Sequence, residues 1–557
     1  MDPFFLYVYR KLKRKCTKEL PSCSLCVRLG KTCDYDGAAS EMNVDQQVLL
    51  DRIRELERQL EAGSGGGTIA EISAFPRQGS SLVNPTYTIH RQGFASNLYF
   101  LDPESFGPAG VPATELDPGM PVPEQVRFIL GNRAEVETVT ESYYDTIDRW
   151  FPIVSRKRLV ARLTTFEPKT DASVALLLLC MKLVTQILPH DENPRTGLYW
   201  ICHQFLMQVE GAPLLSLTLL QATALMAIYE IGHGIWPAAI LTVGNAVRLG
   251  HIMGLHDRDN AHQLFRANST LTGREEERRT WWGVVVLDRI VTMGTYDGSI
   301  LTADVRNHEL LPCTDSDWDS GNIAPFGHAF ASDLTGIQIG HWAQVCQAAH
   351  ALGCVQRHRV DEGHAKNSRL DEAQQLDRTL VSLAASLLAD MKQRGDMAIN
   401  DPKQTGSRSS VDAIALCCSA RFLLYELYAC NDGKSNISRV SSFPSGQEAV
   451  MQRISLQGIN ECVNIMHQIA LRLLEPQQHS TRQSPESYIT YHAGSIFVTH
   501  ALYWAASECS WIVKEGINAA AARVMGDLVK ALHLLNDRWH RAGDYIKLLE
   551  REETLSD

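Results

Sequence analysis

Four cysteines fall within eighteen residues near one end of the chain: Cys16, Cys23, Cys26 and Cys33, spaced C-x6-C-x2-C-x6-C. A segment this short cannot bury a hydrophobic core, so something other than apolar burial must fold it. Two thiolates at x2 spacing can grip one zinc ion from a single turn, and zinc takes four ligands in a tetrahedron. Metal binding would then supply most of the folding free energy. A disulfide reading is weaker. The apolar stretch from Phe4 to Tyr9 is too short for a secretory h-region, and its basic residues follow it instead of preceding it. In a reducing compartment a tight cysteine cluster reads as metal before disulfide. The ten other cysteines are scattered from Cys180 to Cys509 in mostly hydrophobic surroundings.

Charge is divided unevenly along the chain. Residues 1–36 carry eight Lys/Arg and four Asp/Glu, a net +4, whereas the whole chain stands at −11, leaving −15 on the remainder. Arg10, Lys11, Lys13, Arg14 and Lys15 run directly into Cys16, and Lys18 follows it. A basic head on an acidic body suits a nucleic-acid contact at one end. Residues 42–62 then show a heptad pattern. Met42, Leu49, Ile53, Leu56 and Leu60 occupy d, d, a, d and a, with polar Gln46 at an a position and glycines from Gly63 to Gly67 ending the segment. The expectation is a short parallel coiled coil that dimerises through Leu49, Ile53, Leu56 and Leu60, with Gln46 as a register device. The competing reading is one amphipathic helix packed on the body.

Residues 63–123 are rich in Gly, Pro and Ser and are expected to be a largely disordered linker. From 124 onward helical periodicity dominates and strand-like alternation is scarce, so the expected class is all-α. Helices are predicted over 124–148, 155–165, 172–188, 195–209, 213–232, 236–254, 273–296, 333–356, 369–394, 409–431, 446–475, 485–513 and 516–541. The stretch from Pro213 to Ile231 is long enough to span a bilayer. Its Ser216, Thr218, Gln221, Thr223 and Glu230 favour a helix buried in protein instead.

The cysteine string resembles the larger part of the fungal Zn2Cys6 binuclear cluster, C-x2-C-x6-C-x6-C-x2-C-x6-C. Cys16, Cys23, Cys26 and Cys33 match its third to sixth cysteines, Pro21 sits where that family usually has proline, and the basic run fills its first helix. The resemblance implies a nuclear regulator that reads CGG-type triplets in double-stranded DNA, commonly as a dimer on paired half-sites. Lys13 stands where the family usually has a base-contacting lysine, which can donate to guanine O6 and N7. Arg10, Lys11, Arg14 and Lys15 would mainly contact phosphates, and Lys18 is a further DNA-binding candidate. The chain departs from the pattern at the first two cysteines, where Leu6 and Tyr9 stand. Two expectations follow. In one, an upstream exon carries the missing C-x2-C, and the apolar Phe4–Val8 stretch is translated non-coding sequence. In the other, the module has decayed to one zinc or none.

Three segments of the body are similar to the fungal-specific transcription factor domain, also called the middle homology region. The first is Tyr144 through Trp150-Phe151-Pro152-Ile153-Val154. The second runs from Leu219-Leu220-Gln221 through Tyr229-Glu230-Ile231-Gly232 to Gly244, Arg248, Gly250 and Met253-Gly254-Leu255-His256. The third is Glu277-Arg278-Arg279 and Trp281-Trp282, leading to Leu287-Asp288-Arg289. The resemblance covers roughly 124–400, leaving 401–557 as a C-terminal helical region, and implies a regulatory and interaction body without catalysis. Taken physically, Glu275 and Arg279 are four apart and suited to pair on one helix face. At least one of Trp281 and Trp282 is expected in the core, and Asp288 with Arg289 can tie helices together.

No H-E-x-x-H, G-x-S-x-G or G-x-x-x-x-G-K-[ST] string occurs. Cys354, His358 and the nearby His364 hint at a metal, but packing is the favoured reading, and adjacent Cys417 and Cys418 diverge on a helix. The resemblance therefore implies a zinc-dependent, DNA-binding regulator of RNA polymerase II genes that engages the transcription machinery and, as is common in that family, controls a metabolic or secondary-metabolite gene cluster. The rival is a dimerising co-regulator or decoy that does not bind DNA.

Overall fold

The computed structural model describes residues 120–554 except 167–170, 213–214, 259–260, 262–267, 295–299, 307–308, 325–328, 332–338, 362–365, 394–409, 430–445, 475–493 and 515–518. The predicted zinc ligands, basic run, heptad segment and most of the predicted linker lie outside the described residues. Those described belong to one compact unit, residues Thr88–Asp557. Among them are sixteen α-helices, one short 3₁₀ turn at Ile147–Arg149 and no strand. A single antiparallel bridge joins Leu310 and Phe330. The all-α expectation holds.

The helices are α1 (Glu124–Leu130), α2 (Arg133–Asp145), α3 (Arg156–Leu163), α4 (Ala172–Thr185), α5 (Gly197–Gly211), α6 (Leu217–Gly232), α7 (Ala238–Ile252) and α8 (Leu271–Thr292). They continue with α9 (Asp315–Ser320), α10 (His341–Val360), α11 (Lys366–Gln393), α12 (Val411–Glu426), α13 (Gly446–Leu474), α14 (Ile496–Lys514), α15 (Ala519–Asn536) and α16 (His540–Thr554). Short polar side chains start many of them. Ser155, Asp171, Thr196, Ser216, Thr270 and Thr314 each accept a bond from an otherwise orphaned backbone N–H of the first turn.

Two helices are apolar on nearly every side and sit innermost. In α4 every residue from Ala172 to Met181 is buried, and α6 is buried from Thr218 to Gly232. A helix of this kind is stable only when surrounded. Accordingly α6 packs against α4, α5, α7 and α8, while α1 and α2 cover α4. The second half is arranged around α12, which packs against α10, α11, α13 and α14, and α15 and α16 close over α14. The halves join where α8 meets α10 and where α6 meets α14 and α16. Among the described residues one large core results, drawing on residues from Met120 to Leu549, beside a small separate cluster of Cys313, Trp318 and Ile323. No helix among the described residues is long and apolar enough to cross a membrane, and α6 is the buried helix its polar residues indicate.

Two predicted helices are broken in the structure. The stretch 124–148 divides at Gly131, whose φ of +71° ends α1, and Asn132 with Glu135 forms a capping box that starts α2. The stretch 516–541 divides at Asp537–Trp539, after which α16 runs on beyond the predicted end.

Candidate functional site

The three motif segments of the body converge on one buried polar knot. The Trp150–Val154 segment supplies a carbonyl: Ile153 O accepts from the Gln221 side-chain amide at 2.8 Å and from the Thr280 hydroxyl at 3.3 Å. Gln221 lies on α6 and Thr280 on α8. Glu276, also on α8, completes the knot. Its Oε1 accepts from Ser155 N at 2.8 Å and from Gln221 Nε2 at 3.1 Å, and its Oε2 pairs with Arg158 at 2.7 Å. Burial pushes the Glu276 carboxyl above the usual carboxylate range, opposed by Arg158 and the bonds from Ser155 and Gln221. Apolar contacts reinforce the join. Phe151 meets the Trp342 ring edge-on at 5.1 Å, and Phe151 and Ile153 lie so close to Gly283 that a side chain there would collide with them.

A second cluster sits one turn along α8. Arg279 is fully buried, donates Nε–H to Glu275 at 3.1 Å and NH2 to the Cys313 carbonyl at 2.9 Å, and lies 4.5 Å over the Trp318 ring. Glu275 also accepts from Cys313 N at 2.8 Å and pairs with Arg278. The expected Glu275–Arg279 pair therefore exists, but inside the protein. Further along, Asp288 accepts from Leu301 N, Thr302 N and the Thr302 hydroxyl, while Arg289 donates to the same hydroxyl at 2.6 Å. This pair ties α8 to the 300–303 segment. Trp282 is buried and donates its indole N–H to Leu310 O at 3.0 Å, whereas Trp281 is half-buried and rests on Gly250.

The suggested metal ligands of the body have other partners. His358 bonds Glu372 through Nδ1 at 2.9 Å and Tyr428 through Nε2 at 2.7 Å, and Cys354 meets the Arg357 guanidinium. His364 lies outside the described residues. Cys417 points to Leu380 O, while the Cys418 thiol meets that of Cys462. No group of three His, Cys, Asp or Glu suited to a metal occurs among the described residues. These polar groups face one another across helix joins, so the arrangement fixes the relative positions of α3, α6, α8 and α10. Gln221 carried a sequence signal through its motif, but Glu276 did not. It stands inside a run of three glutamates, a pattern that ordinarily marks a solvated face.

Comparison with known proteins agrees with both halves of the reading. Residues 140–339 match the fungal specific transcription factor domain, and residues 10–41 match the fungal Zn(2)-Cys(6) binuclear cluster domain. The chain is 42% identical over 150 residues to the transcription factor BOA15 of Botryotinia fuckeliana, which covers 27% of this chain and 84% of that protein. It is 23% identical over 352 residues to the citrinin biosynthesis transcriptional activator mrl3 of Monascus ruber, covering 58% of this chain and 65% of the relative. With the transcription factor tazR of Aspergillus terreus the identity is 22% over 365 residues, covering 51% and 57%. The chain thus spans less than two thirds of the Monascus and Aspergillus relatives.

Proposed function

The chain belongs to the fungal Zn2Cys6 transcription factors, and from that premise we propose that it regulates RNA polymerase II genes of one biosynthetic cluster by binding CGG-type DNA as a nuclear homodimer. The observation that carries the reading is the order of two family modules in one chain, at 10–41 and 140–339. The cluster-specific part is supported by the similarity to an activator of citrinin biosynthesis. With both matched modules belonging to transcription factors, the reading is of a regulator, not an enzyme.

Each head residue has a role in this proposal. Cys16, Cys23, Cys26 and Cys33 are the zinc ligands. Four thiolates suit a single tetrahedral zinc, whereas a binuclear centre needs the six cysteines of the family pattern. As the sequence stands, the donor set fits one ion. Zinc would hold the basic helix in shape. Lys13 would read guanine, and Arg10, Lys11, Arg14, Lys15 and Lys18 would position the head on phosphates. Leu49, Ile53, Leu56 and Leu60 would pair two copies and so set half-site spacing.

Leu6 and Tyr9, standing where the family has cysteines, favour a second reading: a dimerising co-regulator that does not itself read DNA. One experiment separates the two. Zinc content of the purified full chain is measured alongside its binding to a CGG-containing duplex over a range of potassium chloride. The proposal expects bound zinc, preference for CGG over a scrambled duplex, and a log–log salt slope of about −4 to −5 per head from five phosphate contacts. A dimer with no zinc and no preference would establish the co-regulator.

A further inference from the structure

The last helix is seated on the body by aromatic rings, histidines and arginines, with few acids to balance them. Arg538 and Trp539, in the turn before α16, are both buried. Arg538 donates to the carbonyls of Val184 and Gln186 at the end of α4, and its guanidinium lies 3.8 Å over the Trp539 ring. Trp539 gives its indole N–H to Gly494 O at 2.7 Å. The C-terminal end of α6 lies so close that a side chain at Gly232 would fall on the Trp539 ring.

Three histidines line this seat. His233, 3% exposed, lies between Tyr229 at 4.4 Å, Trp539 at 5.5 Å and His540 at 5.0 Å, and neither of its ring nitrogens has a hydrogen-bond partner among the described residues. His540 opens α16 with His190, Asp544 and the Leu188 and Pro189 carbonyls around it. His500, on α14, bonds the Tyr545 hydroxyl at 2.7 Å and faces Arg541. Arg541 in turn lies over the Trp236 and Tyr545 rings.

The charged groups that face the histidines are mostly cations. His233 faces Arg538 and His540, with Glu230 one turn back on its own helix. Asp544, close to Gly234, is already shared with Lys547 at 3.5 Å, and Asp537 pairs with His190 at 2.7 Å. A proton added to His233 or His500 would place charge in an apolar site beside a guanidinium. Burial and these neighbours lower both histidines, His500 to about 3, and lower His540 as well.

We propose that α16 and the turn before it form an acid-releasable latch on the helical body, closed while His233, His500 and His540 are neutral and opened when they take up protons. The sign follows from linkage. A histidine held below its unfolded value of about 6.5 in the docked state favours the undocked state as pH falls through that value. At pH 5 each fully suppressed histidine raises the opening constant up to about 30-fold over its value at pH 8. Opening would uncover Trp539, Tyr545, Ile546 and Leu549, which are buried in the closed form. This behaviour belongs to the body and does not depend on how the head reads DNA.

Hydrogen exchange read by mass spectrometry on the full chain tests the latch, with labelling times scaled for the intrinsic pH dependence of exchange. Peptides from α16 are compared with peptides from α4 and α6 between pH 8 and pH 5. The expected result is that α16 loses protection first below about pH 6.5 while α4 and α6 keep theirs. In His233→Phe with His500→Gln the loss moves to lower pH. If that double variant does not fold, His540→Asn at the half-exposed edge of the seat should still shift the loss by a smaller amount. Loss in all helices together, full protection of α16 at pH 5, or an unchanged profile in the variants would overturn the proposal.

Discussion

Glu275, Glu276 and Glu277 are neighbours in sequence, yet each is buried and each turns to a different partner: Arg279 with Cys313 N, Ser155 N with Gln221 and Arg158, and Arg258. Successive helical side chains point about 100° apart, so three acids in a row can bind three neighbouring segments. Glu276 carries the join between the motif segments. Glu276→Ala strands the Ser155 N–H in the interior, takes one of its acceptors from the Gln221 amide and leaves Arg158 without its carboxylate, and should cost about 3 kcal/mol in chemical denaturation. Glu276→Gln keeps an acceptor for one of them and should cost about half as much. Glu230 offers a different kind of test. It is fully buried on α6, accepts from the Tyr199 hydroxyl at 3.0 Å, and burial lifts its carboxyl to about 7. A carboxyl raised from its unfolded value of about 4.5 contributes stability that is present below that value and lost as pH rises through about 7. Glu230→Gln should therefore melt close to wild type at pH 5 and higher than wild type at pH 8. A variant destabilised equally at both values would show that the carboxyl is ionised throughout.

At the scale of elements, the places where helices stop carry the most information. Gly232 ends α6 against the Trp539 ring, and Gly232→Ala should force that ring aside. A loss of about 1–3 kcal/mol is expected, with α16 showing faster hydrogen exchange than α4. The position of most helices was legible from apolar spacing, because α4 and α6 are long, largely apolar runs and the polar loops between helices are rich in Gly, Ser and Asp. The break at Gly131 was legible in principle, since Asn132 and Glu135 spell a capping box; periodicity on either side concealed it. The break at 537–539 carried no comparable signal. Asp537, Arg538 and Trp539 contain neither Gly nor Pro and continue the apolar spacing. What turns the chain there is tertiary: Arg538 on the α4 carbonyls and Trp539 packed under α6. The same reason hid Glu276, whose partners lie 121 and 55 residues away in sequence. The family motifs were legible as words. Their meeting at Ile153, Gln221 and Glu276 was not, because contact between distant segments leaves no local pattern.

For the whole molecule, the division of folding forces decides what zinc can and cannot do. Among the described residues the body buries a large continuous apolar core from Met120 to Leu549, so apolar burial holds it together. The cysteine segment at 16–33 has too few apolar residues to fold by burial, and in the proposal made above its folding would depend on zinc. A ligand stabilises only the cooperative unit that it binds. If residues 63–123 serve as a linker, removing zinc should uncouple the two behaviours. Treatment of the full chain with a chelator is expected to abolish binding to a CGG duplex while the calorimetric transition of the body moves by less than about 1 °C. Restoring zinc should restore binding without changing that transition. Replacing Cys23 and Cys26 with serine should reproduce the chelated state and be insensitive to added zinc. A shift of several degrees in the body on chelation would instead mean that head and body fold as one unit, and the linker reading of 63–123 would fall with it.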